Sequence, residues 1–242
     1  MQWVIETKDK YKTKILNLSL GTPANNPLNS DPLVRAVNEA VNAGLTVVVA
    51  AGNSGPNSQT ILSPGNSPSV ITVGAVNDRS ANDNSYTIAP FSSRGPTKEG
   101  LRKPDVVAPG VNINSLSSAK LDQYKSLSGT SMATPVVSGC LAVLLSQDSS
   151  LGSKQLKSQI INSCTSLNER SENQGAGVVN LSKLFKHNRK PVLTPNKSRP
   201  LPDNARPLPD NADSGERINQ QDFISSGLIF MLFLILLLIR VI

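Results

Sequence analysis

Histidine, cysteine and aromatic residues are scarce in this sequence, and each shortage closes off a kind of function. The single histidine, His187, lies in the basic run LFKHNRK and is read as a solvated residue with no catalytic part. Two cysteines, Cys140 and Cys164, cannot build a disulfide framework, and a small buried thiol inside an apolar run has no reactive role. Aromatics make up 4% of the chain and are missing between Phe185 and Phe223. The net charge of +7 is therefore not read as a nucleic-acid surface, because from Lys183 onward nine Lys or Arg stand against five Asp or Glu. The tail has no zinc-ligand spacing, and nowhere is there a compact carboxylate cluster with calcium-loop spacing, so neither metal nor cofactor is expected. The opening MQWVIETKDKYKTK lacks the apolar core and cleavage site of a signal peptide. It reads as the last turns of an amphipathic helix, with Trp3, Val4 and Ile5 on the apolar side, and further chain is expected before it.

What is present is a layered pattern of apolar segments. KILNLSLG predicts a strand ending at Gly21, and TPANNPLNS a loop. Asp31 stands as N-cap before PLVRAVNEAVNAG, with Pro32 at the first helical position and Gly44 at the end. LTVVVAAG and SVITVGAV are continuous β-branched runs, the mark of parallel strands buried on both faces. FSSRGP and KPDVVAPG carry turn-forming Gly and Pro. The run after Ser131 predicts a long helix, apolar all round and so buried mid-domain, and GSKQLKSQIINSC an amphipathic one. The fold class expected is α/β, a mostly parallel sheet between helical layers, over residues 1–185.

Beyond 185 the composition changes. RPLPDNA occurs twice in tandem from Arg199 to Ala212, which makes 186–223 an extended, disordered linker. Residues 224–242 form an apolar segment of about the length that spans a bilayer. Arg240 stands near its end, where a long side chain can snorkel. A single C-terminal transmembrane helix in a lipid bilayer is expected. With no leader at the start, tail anchoring with the domain on the cytoplasmic side is the preferred topology.

Ser131 stands in GTSMATP, where a glycine-led loop enters the long helix. An unactivated serine is a poor nucleophile and needs both a base and donors for an oxyanion. The free N–H groups of a helix start supply part of that need. Asn53, in AAGNSG at the end of a buried strand, offers a side-chain amide at the crevice where such sheets bind ligands. GTSMA lacks the second glycine of a hydrolase elbow, and no Lys follows Ser131 by three residues as in penicillin-binding patterns.

GTSMATP and AAGNSG, with NLSLG, SPGNSPSVITVGAV, FSSRGP and KPDVVAPG in the same order, resemble the landmarks of subtilisin-like serine proteases over roughly Met1 to Phe185. The resemblance implies Ser131 as nucleophile, Asn53 and the Ser131 N–H as oxyanion donors, and Thr130 as a supporting hydroxyl. It further implies that Ser19, Leu20 and Gly21 pair with a polypeptide substrate as an added strand. Ala50, Ala51 and Gly52 would form the opposite wall of the pocket for the residue before the scissile bond, with Leu62 placed to make that pocket shallow. Pro64 matches a position that is often preceded by a cis peptide bond.

In this family the triad runs Asp, His, Ser, so the first two members are expected before Met1, and the isolated chain is expected to be inactive. The leading reading is the C-terminal part of a membrane-anchored endopeptidase, favoured by the intact serine and asparagine motifs. The alternatives are a non-catalytic peptide- or partner-binding remnant of a protease and a tethered structural remnant with no site. A parallel sheet without its first strands leaves an open edge that invites a complementary N-terminal protease fragment. A monodisperse preparation of residues 1–185 alone that unfolds cooperatively would contradict that last expectation.

Overall fold

Apolar side chains on both faces of a strand need cover on both sides, and that need sets the architecture. A computed structural model of the chain describes residues 1–79, 85–117 and 123–186. In order these form α1 (Gln2–Tyr11), β1 (Ile15–Leu18), α2 (Pro32–Asn42), β2 (Thr46–Ala50), β3 (Ile71–Arg79), β4 (Ser85–Ile88) and β5 (Val106–Pro109). There follow β6 (Ile113–Leu116), β7 (Tyr124–Leu127), α3 (Thr130–Gln147), α4 (Ser153–Asn162), α5 (Ser171–Gln174) and α6 (Leu181–Lys186).

Strands β1, β2, β3 and β5 pair in parallel in that spatial order, and β4 runs antiparallel along the far end of β3. Alternation divides β2 between two cores: Val48 joins Ala133, Val137 and Leu141 of α3, whereas Val47 and Val49 join Val37 and Ala40 of α2. The sheet is thus sandwiched by α3 and α4 on one side and by α2 on the other, with Val4 and Ile5 of α1 against the α2 side. The α/β expectation holds for the described part. Asp31 caps α2 as read, its Oδ1 accepting from the N–H groups of Leu33 at 2.9 Å and Val34 at 3.2 Å. Among the described residues α3 is the one helix long and apolar enough to cross a membrane, and it is packed in the core.

Several readings need correction. Trp3 is exposed at 63% and stacks on Tyr11, so only Val4 and Ile5 face the core; consecutive helical positions cannot all share one face. The first strand ends at Leu18, not Gly21, because Ser19 turns its polar groups to α3. KPDVVAPG is more than a turn: Val106–Pro109 is β5, its three apolar residues fully buried beside β3. The hairpin of β6 and β7 carries no apolar alternation strong enough to announce it; Leu116, Tyr124 and Leu127 on it are exposed. The peptide bond before Pro64 is cis. The linker and the membrane anchor expected for 186–223 and 224–242 lie outside the described residues, apart from Lys186 at the end of α6.

A buried ion cluster ties β5 to β3 and to α4. Asp105 Oδ2 accepts from Lys103 Nζ at 2.6 Å and from the Thr72 N–H at 2.7 Å, while Lys157 Nζ of α4 lies 3.2 Å from Oδ1. Both ammonium groups also donate to the Val70 carbonyl, at 3.1 Å from Lys103 and 2.7 Å from Lys157. Lys103 is only 2% exposed, and desolvation pushes its ammonium down to about 8, against the pull of Asp105. Removing the carboxylate leaves two ammonium groups facing each other, one of them buried. Asp105→Ala is expected to cost about 3–5 kcal/mol in urea unfolding of the full chain. A loss below about 1 kcal/mol would contradict the role given to the cluster. The sign of the pH dependence follows from Lys103. Between pH 8 and its unfolded value of 10.5, the unfolded chain holds a proton that the folded chain has released, so this group's contribution to stability rises with pH there. Lys103→Met should lack that rise, which parallel pH profiles for variant and parent would refute.

Candidate active site

Parallel strands deliver their C-terminal ends to one rim of the sheet, and three loops meet there. Residues after β1 bring Ser19, those after β2 bring Asn53, and Gly129 opens α3, which carries Thr130 and Ser131 in its first turn.

The reason Ser131 sits against Ser19 can be read from Pro135. A helical carbonyl at 131 would accept from the N–H of residue 135, and proline has none. The orphaned Ser131 carbonyl accepts instead from Ser19 Oγ at 2.9 Å. In return Ser131 Oγ donates to the Ser19 carbonyl at 3.2 Å. Behind this pair Asn17 Nδ2 donates to Ser19 Oγ at 3.0 Å, and Ser138 Oγ of α3 donates to Asn17 Oδ1 at 2.8 Å. Neither Asn17 nor Ser138 was singled out from the sequence. The signal was there, as one polar residue in the apolar ILNL and one in the apolar α3, but nothing in the sequence says that the two meet.

Asn53 is oriented from α3 as well. Its Oδ1 accepts from the Thr130 N–H at 2.9 Å and from Thr130 Oγ1 at 3.0 Å. A backbone N–H can only donate, so the amide oxygen must face Thr130 and Nδ2 is left as the outward donor. Thr130, fully buried, also accepts from the Gly52 N–H at 3.2 Å. The Ser131 N–H, in the first turn where helical N–H groups lack partners, finds no acceptor among the described residues. An exposed amide, an uncommitted N–H and a serine hydroxyl therefore gather at the first turn of α3, on one rim of the sheet.

The structure brings Ser131, Asn53, Thr130, Ser19 and Gly52 together directly. Leu20 is exposed at 51% on the rim. Gly21 and Gly52 both lie against the Leu62 side chain, and Ala50 and Ala51 are buried beneath. Gly52 has φ of +112°, a backbone conformation that favours glycine. Ser93, not anticipated, supports this loop by accepting from the Ser54 N–H at 3.1 Å. His187 lies outside the described residues. Both thiols are remote from the cleft chemistry, and burial pushes Cys140 and Cys164 up to about 12, so neither is a nucleophile at neutral pH.

The sequence profile of the subtilase family, Peptidase_S8, matches residues 1–178. Serine protease AprX of Bacillus subtilis (strain 168) is 45% identical over 199 residues, covering 74% of this chain and 45% of the relative. Subtilisin DY of Bacillus licheniformis is 38% identical over 179 residues, covering 73% and 58% respectively. The chain thus spans about half the length of these curated relatives. Among solved structures, Sphericase is similar at 35% identity and a TM-score of 0.56, over 67% of this chain and 52% of that one. The prenylagaramide maturation protease PagA is similar at 27% identity and a TM-score of 0.61, over 77% and 66%.

The orientation of Asn53 has a consequence that needs no catalysis to test. Asn53→Asp keeps an oxygen facing Thr130 and should leave thermal stability nearly unchanged. Asn53→Leu strands the buried Thr130 donors and should cost about 1–3 kcal/mol. Equal stability of the two variants would contradict the assigned hydrogen bonds.

Proposed function

Because the chain belongs to the subtilase family, we propose that it carries the nucleophile half of a membrane-anchored serine endopeptidase. The observation that supports this reading is that Asn53 and Ser19, from the ends of two parallel strands, are both hydrogen-bonded to the first turn of α3 that carries Ser131. Ser131 Oγ attacks the carbonyl carbon of a peptide bond, and its proton passes to a histidine base. The new oxyanion accepts from Asn53 Nδ2 and from the Ser131 N–H, donors already fixed before the reaction. Collapse expels the amine and leaves an acyl-enzyme on Ser131, which water then hydrolyses. Thr130 does not touch the substrate; it holds Asn53. Ser19, Leu20 and Gly21 receive the extended substrate backbone.

The base and its orienting acid come from a segment other than residues 1–186. The open edge of β1 is where such a segment has room to pair: β1 hydrogen-bonds only to β2 among the described residues, and its side chains are half-buried. Residues 224–242 tether the domain to a bilayer, with the domain on the cytoplasmic side. One fact favours a second reading, a peptide-binding remnant that cleaves nothing: the sole histidine, at 187, follows Ser131 in the sequence.

Fusing the N-terminal half of AprX, up to the point where similarity to Met1 begins, ahead of this chain separates the two readings. The fusion is expected to hydrolyse casein, and Ser131→Ala should abolish that. The chain alone should be slower by about 10⁶, a figure taken from subtilisin lacking its histidine. A folded fusion that cleaves nothing would leave the binding reading. For the anchor, the full chain should stay with alkaline-washed membranes and a chain ending at 223 should be released; release of both would refute the anchor.

A further inference from the structure

Among the described helices α1 alone buries no residue fully. Its inner side rests Val4 and Ile5 against the α2 core, and its outer side carries large apolar groups into solvent. Trp3 and Tyr11 are both exposed, with their ring centroids 5.7 Å apart. Lys10 Nζ stands 5.3 Å from the centre of the Tyr11 ring, so aromatics and a cation form one patch. Lys12 and Lys14, both exposed, continue it past the end of the helix. Residues 1–14 hold four lysines against Glu6 and Asp9, and Asp9 is paired with Lys8 at 2.9 Å.

Lysines at the end of a helix complement its dipole, and a solvated face would account for them. It does not account for a tryptophan and a tyrosine held together in water. Both rings have an apolar body and a polar edge, which suits the boundary between water and hydrocarbon. Aromatic rings beside lysines are the composition of a helix that lies on an anionic lipid surface. The sequence also brings such a surface near, since it ends in a run with no polar side chain from Gly227 to Ile239. The linker expected at 186–223 lies outside the described residues. As a coil of that length it would hold the domain within roughly 35 Å of a bilayer. At that range docking of α1 becomes an intramolecular step with a high effective concentration.

We propose that the outer face of α1 docks on an anionic lipid surface. Trp3 and Tyr11 enter the headgroup layer, and Lys10, Lys12 and Lys14 meet the negative headgroups. The proposal rests on the tethering of residues 224–242 only for how α1 reaches a bilayer; the chemistry of the face is independent of it.

Trp3 is the sole tryptophan, so its fluorescence reports this face alone. The full chain is reconstituted into nanodiscs of phosphatidylcholine, with or without a quarter of phosphatidylserine, and with brominated acyl chains as the quencher. With phosphatidylserine, Trp3 emission should shift to the blue and be quenched by the brominated chains; with phosphatidylcholine alone both effects should be much smaller. Each lysine at an anionic surface is worth about 5-fold in such an equilibrium, so Lys10→Glu with Lys14→Glu should weaken docking by at least about 25-fold. Lys10→Gln with Lys14→Gln should give a smaller loss and serves if the charge reversal disturbs folding. Trp3 equally open to acrylamide in both lipids, with no quenching by bromine, overturns the proposal. Trp3 shielded in both lipids but untouched by bromine means that protein covers this face, and overturns it too. If the full chain does not enter the discs, the anchor falls. Free chain mixed with vesicles of the same two compositions then decides the docking: a blue shift that needs phosphatidylserine sustains it, and none refutes it.

Discussion

The site depends on a carbonyl that the helix cannot use. Pro135 leaves the Ser131 carbonyl without its helical partner, and Ser19 Oγ supplies the missing donor from a loop more than one hundred residues earlier in the chain. That bond, with its return from Ser131 Oγ to the Ser19 carbonyl, joins the end of β1 to the start of α3. Thr130 makes the equivalent joint to the end of β2 through Asn53. Each joint works because parallel strands end at the same rim. The core beneath, Val48 and Val73 against Ala133 and Val137, holds that rim at a fixed distance from the helix.

How much of this was legible depends on whether the cause is local. The cap at Asp31, the doubly buried β2 and the buried α3 follow from short-range chemistry, and all three are found. So was the pairing of GTSMATP with AAGNSG, because distinctive residue strings carry it. Missed features are those decided by tertiary partners. Val106–Pro109 is bracketed by Gly and Pro that look like turns, yet pairing with β3 makes it a strand. Trp3 is apolar but points to solvent. Asn17 and Ser138 each look like an isolated polar residue in an apolar run, and only the fold shows that they meet at 2.8 Å.

Under the proposed function, the groups this chain would contribute to the reaction are held in place before it begins. Oxyanion donors have to be in place before charge develops, and the two candidates, the Asn53 amide and the Ser131 N–H, are held by buried Thr130 and by the helix start itself. A base, in contrast, moves protons and changes charge during turnover. The ion cluster of Lys103, Asp105 and Lys157 lies on the opposite side of this division: it holds β3, β5 and α4 together and takes no part in the cleft.

The most direct measurement is made on the native protein from its own cells, enriched by an antibody to the repeat at 199–212 and treated with a fluorophosphonate. Peptide mass mapping then reads the segment from Ser126 to Lys154. The account predicts a phosphonyl group on Ser131, lost when the sample is heat-unfolded before treatment. No label on Ser131, in a sample where a control serine protease is fully labelled, would contradict it.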